Sequence, residues 1–291
     1  MRKAFWQLHI AVLLAGFTAI LGKLIGLNEI LLVAYRVLIT VMVLAVIFFV
    51  RKEWQKLDAR ELVKIGGVGL IICMHWVAFY GSIKYANVSV ALVCFSATGF
   101  FTAILEPLLT RKKPVVQEII LGFLAIAGIY IIFDFYPEYL KGIAFGVVAA
   151  IGSAIFPIFN KQLLKKHSPR TLTFYELSSG LIGLMAVIPL YLHFFPADYY
   201  LPTASDWAWL IVLAVACTVV MFDLQLRALK RISAFTVNLT YNLEPVYGIL
   251  LAFVIFKENK MLGSGFYAGL SLIILAIVLQ MVRSAKTVGS R

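Results

Sequence analysis

Apolar residues run along this chain in ten blocks of roughly twenty, separated by short polar or basic turns. They cover about 5–25, 31–50, 63–83, 88–110, 115–133, 142–160, 171–193, 207–227, 234–256 and 262–282. A helix of that length crosses the roughly 30 Å hydrocarbon core of a bilayer. Polar residues inside the blocks recur at i, i+3, i+4 and i+7, the period of a helix. The longest interruptions, 51–62 and 194–206, are too short to fold alone. The pattern predicts an all-α polytopic membrane protein with ten transmembrane helices and no soluble catalytic domain.

Two segments, 84–112 and 230–258, lie 146 residues apart and align without a gap. Each runs from a basic turn through an apolar stretch with a polar stripe to a charged stop. Only Lys84/Lys230 and Leu105/Leu251 are identical, so the spacing carries the argument. Ten spans split into five and five about a midpoint in the loop 134–141. An odd number per half inserts the second half upside down relative to the first. The loop charges agree: 111–113 is basic, whereas its counterpart 257–260 carries a compensating Glu258. The expected organisation is two inverted five-helix repeats, 1–137 and 138–291, around a central cavity.

Composition agrees with this pattern. Hydrophobic residues make up 62% and charged residues 14%, against about 25% charged in an average soluble domain; mean hydropathy is +0.96. The net charge of +12 raises nucleic-acid binding, and its placement argues against it. With the N-terminus in the cytoplasm, twenty Lys and Arg fall on the cytoplasmic side and four (Lys84, Lys141, Lys257, Lys260) on the other. That positive-inside bias sets orientation, and the basic residues meet anionic lipid headgroups. A bacterial-type cytoplasmic (inner) membrane is expected, with both termini cytoplasmic. Arg2 and Lys3 before an apolar run imitate a signal peptide, but no convincing small-residue cleavage site follows, so the run reads as an uncleaved first span. Cys73, Cys94 and Cys217 lie inside spans and imply packing rather than disulfides.

Soluble-enzyme motifs such as GxxxxGK[ST], GxSxG, HExxH and CxxC are absent, and His9, His75, His167 and His193 are far apart in sequence. No metal, cofactor or catalytic residue is expected. Candidate chemistry lies in ionisable residues inside spans, which are costly at bilayer depth and usually face a bundle interior or a wet cavity. In the ninth span, Asn238, Tyr241, Asn242 and Pro245 follow i, i+3, i+4, i+7, with Thr240, Glu244, Tyr247 and Gly248 alongside. Pro245 deprives a carbonyl near Tyr241 of its donor, which opens a polar backbone site or a kink sealed by neighbouring side chains. The fourth span aligns Thr98, Thr102 and Glu106, with Gly99 opposite Pro245; Glu106 lies near Arg111 and Lys112 and either pairs there or faces the cavity.

The third span carries His75, Phe79 and Ser82 on one face, with Trp76 and Tyr80 beside them. His75 reads equally as a packing residue or a proton sensor. Arg36 and Glu176 occupy matching places after Tyr35 and Tyr175, which suggests an ion pair or separate bonds to backbone carbonyls. Lys23 and Lys161 also correspond, and can snorkel to opposite membrane faces. Pro157, between Ser153 and Asn160, marks a second broken helix, and Asp223 has Arg227 at i+4.

Arg36 in AYRVLITVMVL, together with YANVSVALVCFSATGFFTAILEPLL and ISAFTVNLTYNLEPVYGILLAFVIFKE, resembles the EamA-type branch of the drug/metabolite transporter superfamily. Pro245 and the Lys257-Glu258 stop resemble that family's proline and terminal acidic residue. The first repeat departs, with Gly99 where a proline is common and Lys112 where a glutamate is common. The resemblance covers essentially the whole chain. It implies a ten-helix basket with helices 1, 3, 4, 6, 8 and 9 around a cavity, and export of amino acids and other small metabolites.

The expectation is a secondary transporter working by alternating access, monomeric and without an obligate protein partner. Trp76, Phe79, Tyr80, Phe95, Thr98, Asn238, Tyr241 and Asn242 would line its substrate cavity. Rings would hold an apolar group while amides and hydroxyls take polar ends. Glu244 and His75 are the candidates for charge recognition or proton coupling. The alternatives are a lipid-carrier flippase of similar architecture and a membrane-embedded lipid-modifying enzyme.

Overall fold

A computed structural model describes residues 2–52, 55, 57–111, 113–229, 240, 241 and 243–289. The first segment is α1 (Arg2–Leu24). Several later helices begin where a short polar side chain takes a free N–H of the first turn. Asn28 caps α2 (Glu29–Arg51), Asp58 caps α3 (Ala59–Tyr85) and Asn87 caps α4 (Val88–Phe95). Then come α5 (Thr98–Thr110), α6 (Val116–Phe135), α7 (Leu140–Leu163) and α8 (Pro169–Phe194), which Ser168 caps. Thr203 and Asp206 form a reciprocal capping box at the start of α9 (Ala204–Ala214). A π turn, Val215–Val220, joins α9 to α10 (Met221–Leu229). The last helices are α11 (Glu244–Phe256) and α12 (Ser264–Gly289). No strand occurs among the described residues.

Among the described residues, seven segments are long and apolar enough to span a membrane: Ala4–Leu24, Glu29–Arg51, Ala59–Tyr85, Val88–Thr110, Pro137–Leu163, Pro169–Phe194 and Ala204–Leu224. Val116–Ile132, Glu244–Phe256 and Ser264–Leu279 are apolar but shorter. The ninth expected block falls short because 230–239 and Asn242 lie outside the described residues. A second difference concerns Pro157, where the sequence places a broken helix; α7 runs continuously through it.

Among the described residues, the fourth span is interrupted. The α-helix ends at Phe95 and resumes at Thr98, and between them the ladder tightens, with the Ser96 amide donating to Leu92 and Val93 and the Ala97 amide to Cys94, all at 3.1 Å. Ser96 Oγ donates to the Val93 carbonyl and Thr98 Oγ1 to the Phe95 carbonyl, both at 2.6 Å. The Val93 oxygen also accepts from the Ser96 amide at 3.1 Å, so the hydroxyls add side-chain donors where the helix is interrupted inside a bilayer. The aligned segment behaves alike, because α11 starts at Glu244 with Pro245 in its first turn. There a missing N–H costs nothing, so Pro245 opens a helix rather than kinking one. α5 and α11 end alike too. Arg111 and Lys257 both adopt the left-handed conformation with φ 55°, a helix stop that glycine usually supplies.

Contacts sort the connections into two ends. At one end, where α1 finishes, Lys84 donates to the Ile25 carbonyl, Asn28 to Phe195 and the Gly26 amide to Asp206. Tyr136 Oη accepts from the Gly263 amide at the same end. At the other end, where the chain begins, Tyr175 donates to Gln55 and Lys166 approaches Glu61. α3 packs chiefly on α7 and α8, α1 on α10 and α11, α2 on α8 and α9, α5 on α7, α6 on α12, and α4 on α11. Small residues permit the closest crossings, as is common between helices in membranes. A Cβ on Gly180 would lie 2.6 Å from the Gly69 carbonyl, and one on Gly128 would lie 2.6 Å from the Gly269 carbonyl.

Candidate functional site

Arg36 is the most heavily engaged charge inside the helices. It projects from α2 and is buried. Its Nη1 donates to Tyr80 Oη at 2.8 Å, and Nε and Nη2 donate to Thr218 Oγ1 at 3.2 and 3.1 Å. The guanidinium carbon lies 3.9 Å from the centre of the Trp76 ring, a stack worth about 2 kcal/mol when desolvated. Trp76 and Tyr80 reach it because they lie four residues apart on one face of α3.

Thr218 reaches Arg36 from the π turn. A π turn accommodates an extra residue and is often found at functional sites. Thr218 Oγ1 spends its proton on the Leu213 carbonyl five residues back, at 3.0 Å, which leaves its lone pairs for Arg36. No carboxylate of the described residues forms an ion pair with Arg36. Glu244, half-buried at the start of α11, is within its electrostatic reach.

Aromatic rings extend this centre. Phe79 stands 5.6 Å from Tyr80 and 5.1 Å from Phe95. His75 lies 5.2 Å from Phe156, 5.8 Å from Trp76 and 6.5 Å from Phe95, and its buried Nδ1 has no hydrogen-bond partner. The structure thus brings together Trp76, Phe79, Tyr80, Phe95 and His75, with Glu244 near. Thr98 is half-buried, its hydroxyl engaged with Phe95. Tyr241 packs against the cluster formed by Ala4, Leu8 and Val12 of α1 with Ala228 of α10, its buried hydroxyl unpartnered. Asn238 and Asn242 lie outside the described residues.

The expected Arg36–Glu176 pair does not form. Arg36 turns to α3 and the π turn, whereas Glu176 faces α7 and accepts from Asn160 Nδ2 at 3.4 Å. Matching sequence positions on α2 and α8 do not guarantee that the side chains point at one another.

Sequence reasoning also underrated Glu258. It is 1% exposed and closes the end where α1 finishes. Its carboxylate accepts from Lys23 Nζ at 2.8 Å, the Val88 amide at 3.2 Å, and the Ser89 amide and hydroxyl at 2.9 and 2.6 Å. A carboxylate on the free amides of α4 also meets the positive end of that helix. Lys23, expected to snorkel, is held by Glu258 and lies 4.5 Å from the centre of the Phe256 ring. Beside this knot, buried Glu29 accepts from Tyr191 Oη at 2.6 Å, and Asp206 accepts from Tyr199 Oη at 2.9 Å. Glu258 shows in sequence as the compensating acid of a helix stop and as the family's terminal acidic residue, and Glu29 only as the residue after Asn28; neither signal points to burial.

The opposite end is joined by longer contacts. Glu61 lies 3.7 Å from Lys166 and 3.5 Å from His167. Glu106 lies 3.7 Å from Lys161, Asp223 3.6 Å from Arg170, and Glu118 3.5 Å from Arg283. Two crevices open on the flanks of the bundle. One of about 90 Å³ touches Val93, Pro245 and Ile273; the other, about 580 Å³, touches Pro107, Arg111 and Ile119. Neither includes Arg36 or His75.

Comparison with known proteins gives this geometry a context. A sequence profile of the EamA-like transporter family matches residues 2–134 and again 140–282. An uncharacterized transporter of Archaeoglobus fulgidus is 26% identical over 74% of each chain. The uncharacterized transporter YetK of Bacillus subtilis is 27% identical over 88% of this chain and 80% of its own. An S-adenosylmethionine uptake transporter of Rickettsia bellii is 27% identical over 65% of this chain and 63% of its own. A crystal structure covering 99% of both chains superposes with a TM-score of 0.62 at 15% identity, a likeness of fold.

Proposed function

The chain belongs to the EamA-like transporter family, and from that premise we propose that it is a secondary transporter moving a small amino-acid-like metabolite by alternating access. The observation that carries this reading is the buried Arg36 guanidinium. It is held by a Trp76 ring and two hydroxyls, with Glu244 within electrostatic reach and, among the described residues, no carboxylate bound to it. A fixed cation near an acid suits a zwitterion: Arg36 would take a carboxylate, Glu244 an ammonium, and Phe79, Phe95 and His75 an apolar or aromatic tail. Thr98, Tyr241, Asn238 and Asn242 complete the proposed cavity, with His75 its second titratable group.

The proposed architecture is ten spans in two inverted repeats, 1–137 and 138–291. Three observations support it. The family profile matches twice. The paired helices Thr98–Thr110 and Glu244–Phe256 start and stop at the same offset. Helix contacts also recur under exchange of halves, α3 on α7 answering α10 on α1, and α3 on α8 answering α9 on α2. The loop charges support cytoplasmic termini in a bacterial-type inner membrane.

Export is our reading from the family resemblance, whereas the Rickettsia relatives are named for uptake of S-adenosylmethionine. That compound also joins an amino-acid head to an aromatic ring, so both belong in one assay. Counterflow in proteoliposomes, run against an amino-acid panel and S-adenosylmethionine, should give saturable flux for at least one compound. Glu244→Gln and Trp76→Leu should each reduce that flux at least about tenfold, the loss of one charge-assisted contact, at unchanged folded protein. Lipid movement without flux of any soluble compound would favour the flippase alternative instead.

A further inference from the structure

Glu176 has no role in the site described so far. It lies seven residues into α8, about 10 Å along the helix axis from its start, and is 3% exposed. Asn160 Nδ2 donates to one carboxyl oxygen, Oε2, at 3.4 Å. The other, Oε1, is buried without a partner, and so is Asn160 Oδ1. Two acceptors on two groups already in contact are left without a donor, in surroundings where an unsatisfied polar atom is expensive.

Among the described residues, no neighbouring charge pairs with this carboxyl. On α2, Arg36 turns to Tyr80 and Thr218, and Arg51 is exposed at the helix end. From α3, Glu61 lies against Lys166 and His167, and Lys64 is exposed. The same helix brings the Cys73 thiol against Gly180, one turn along α8 from Glu176. On α7, Lys161 pairs with Glu106; on α8 itself, Arg170 pairs with Asp223. Gly69 of α3 packs against the Glu176 main chain so closely that a Cβ there would overlap its carbonyl.

We propose, resting on the transporter reading, that Glu176 and Asn160 form a proton-binding site. It is loaded in this conformation and discharged when the end bearing α8's first turn opens to water. A proton on Oε1 donates to Asn160 Oδ1, while Nδ2 continues to donate to Oε2. The result is a closed acid–amide ring in which one proton satisfies both orphan oxygens. The terminal torsions of Glu and Asn are soft enough to bring the two planes into line. Discharge returns the proton to water and leaves a carboxylate that only the opened, hydrated site can solvate.

Infrared difference spectroscopy of the full-length protein in lipid nanodiscs tests the site without a substrate. The wild type should show a protonated-carboxyl stretch at neutral pH that shifts in D2O. The band should vanish in Glu176→Gln, whose amide preserves the paired geometry, and move in Asn160→Ala. Identical wild-type and Glu176→Gln spectra would mean a carboxylate satisfied by water and would overturn the proposal. Counterflow on the compound panel, repeated across pH, tests the coupling: pH dependence should be lost in Glu176→Gln, and its survival there would sink it. A band that behaves as expected with no flux from any compound would count against the transporter reading and leave the proton site standing.

Discussion

The two ends of the helix bundle are joined by different physics. Where α1 finishes, Glu258 gathers Lys23 and the first turn of α4 through four short contacts of 2.6–3.2 Å, and is itself shielded from solvent. Where the chain begins, ion pairs of 3.5–3.7 Å join side chains that are mostly half-buried or exposed. Burial is what separates them. A carboxylate out of water depends on every donor it has, whereas an exposed pair trades its partner for water at little cost. The first end is therefore closed by a buried knot that depends on all its donors, the second by longer ties that water can replace. On the alternating-access proposal, the second end should open the more readily.

The largest test of that contrast is Glu258→Ala. It strands the Val88 and Ser89 donors together with Lys23, and should cost about 3–5 kcal/mol, read as a large fall in melting temperature in detergent. Next is Tyr191→Phe, which removes the 2.6 Å donor from buried Glu29 and should cost about 1.5–3 kcal/mol in the same assay. Glu61→Ala, at the other end, should fall within about 1 kcal/mol of the wild type. A loss matching that of Glu258→Ala would break the comparison. The smallest effect is that of salt. At 1 M the screening length is about 3 Å, so hydrogen exchange should quicken at the first turns of α8 and α3. The Val88 and Ser89 amides should keep their protection.

Much of the fold was legible because the bilayer imposes it. Apolar length and the polar turns between blocks placed the helices to within a few residues, with Asn28, Asp58, Asn87 and Ser168 at their starts. Breaks were harder to place. Proline chemistry pointed to Pro157, yet α7 continues through it, while the fourth span is interrupted beside Ser96 and Thr98, away from its own Pro107. A hydroxyl that back-bonds to its own helix looks in sequence like any other small polar residue.

The site was half legible for a related reason. Helical spacing grouped Trp76, Phe79 and Tyr80, because neighbours on one helix obey a fixed period. It was silent on Thr218 and misled on Arg36 with Glu176, because contacts between helices depend on rotation about their axes. In the ninth span Asn238 and Asn242, central to the polar stripe, lie outside the described residues.

The π turn at Val215–Val220 has one more consequence. Each residue of an α-helix advances the face by about 100°, so one extra residue sets α9 and α10 out of phase by that amount. A chimera that replaced this segment with a regular helix from a relative would preserve hydropathy, length and orientation in the membrane. It would nonetheless offer Arg36 a different side of the helix, and exchanges between relatives here should be cut by face rather than by alignment column.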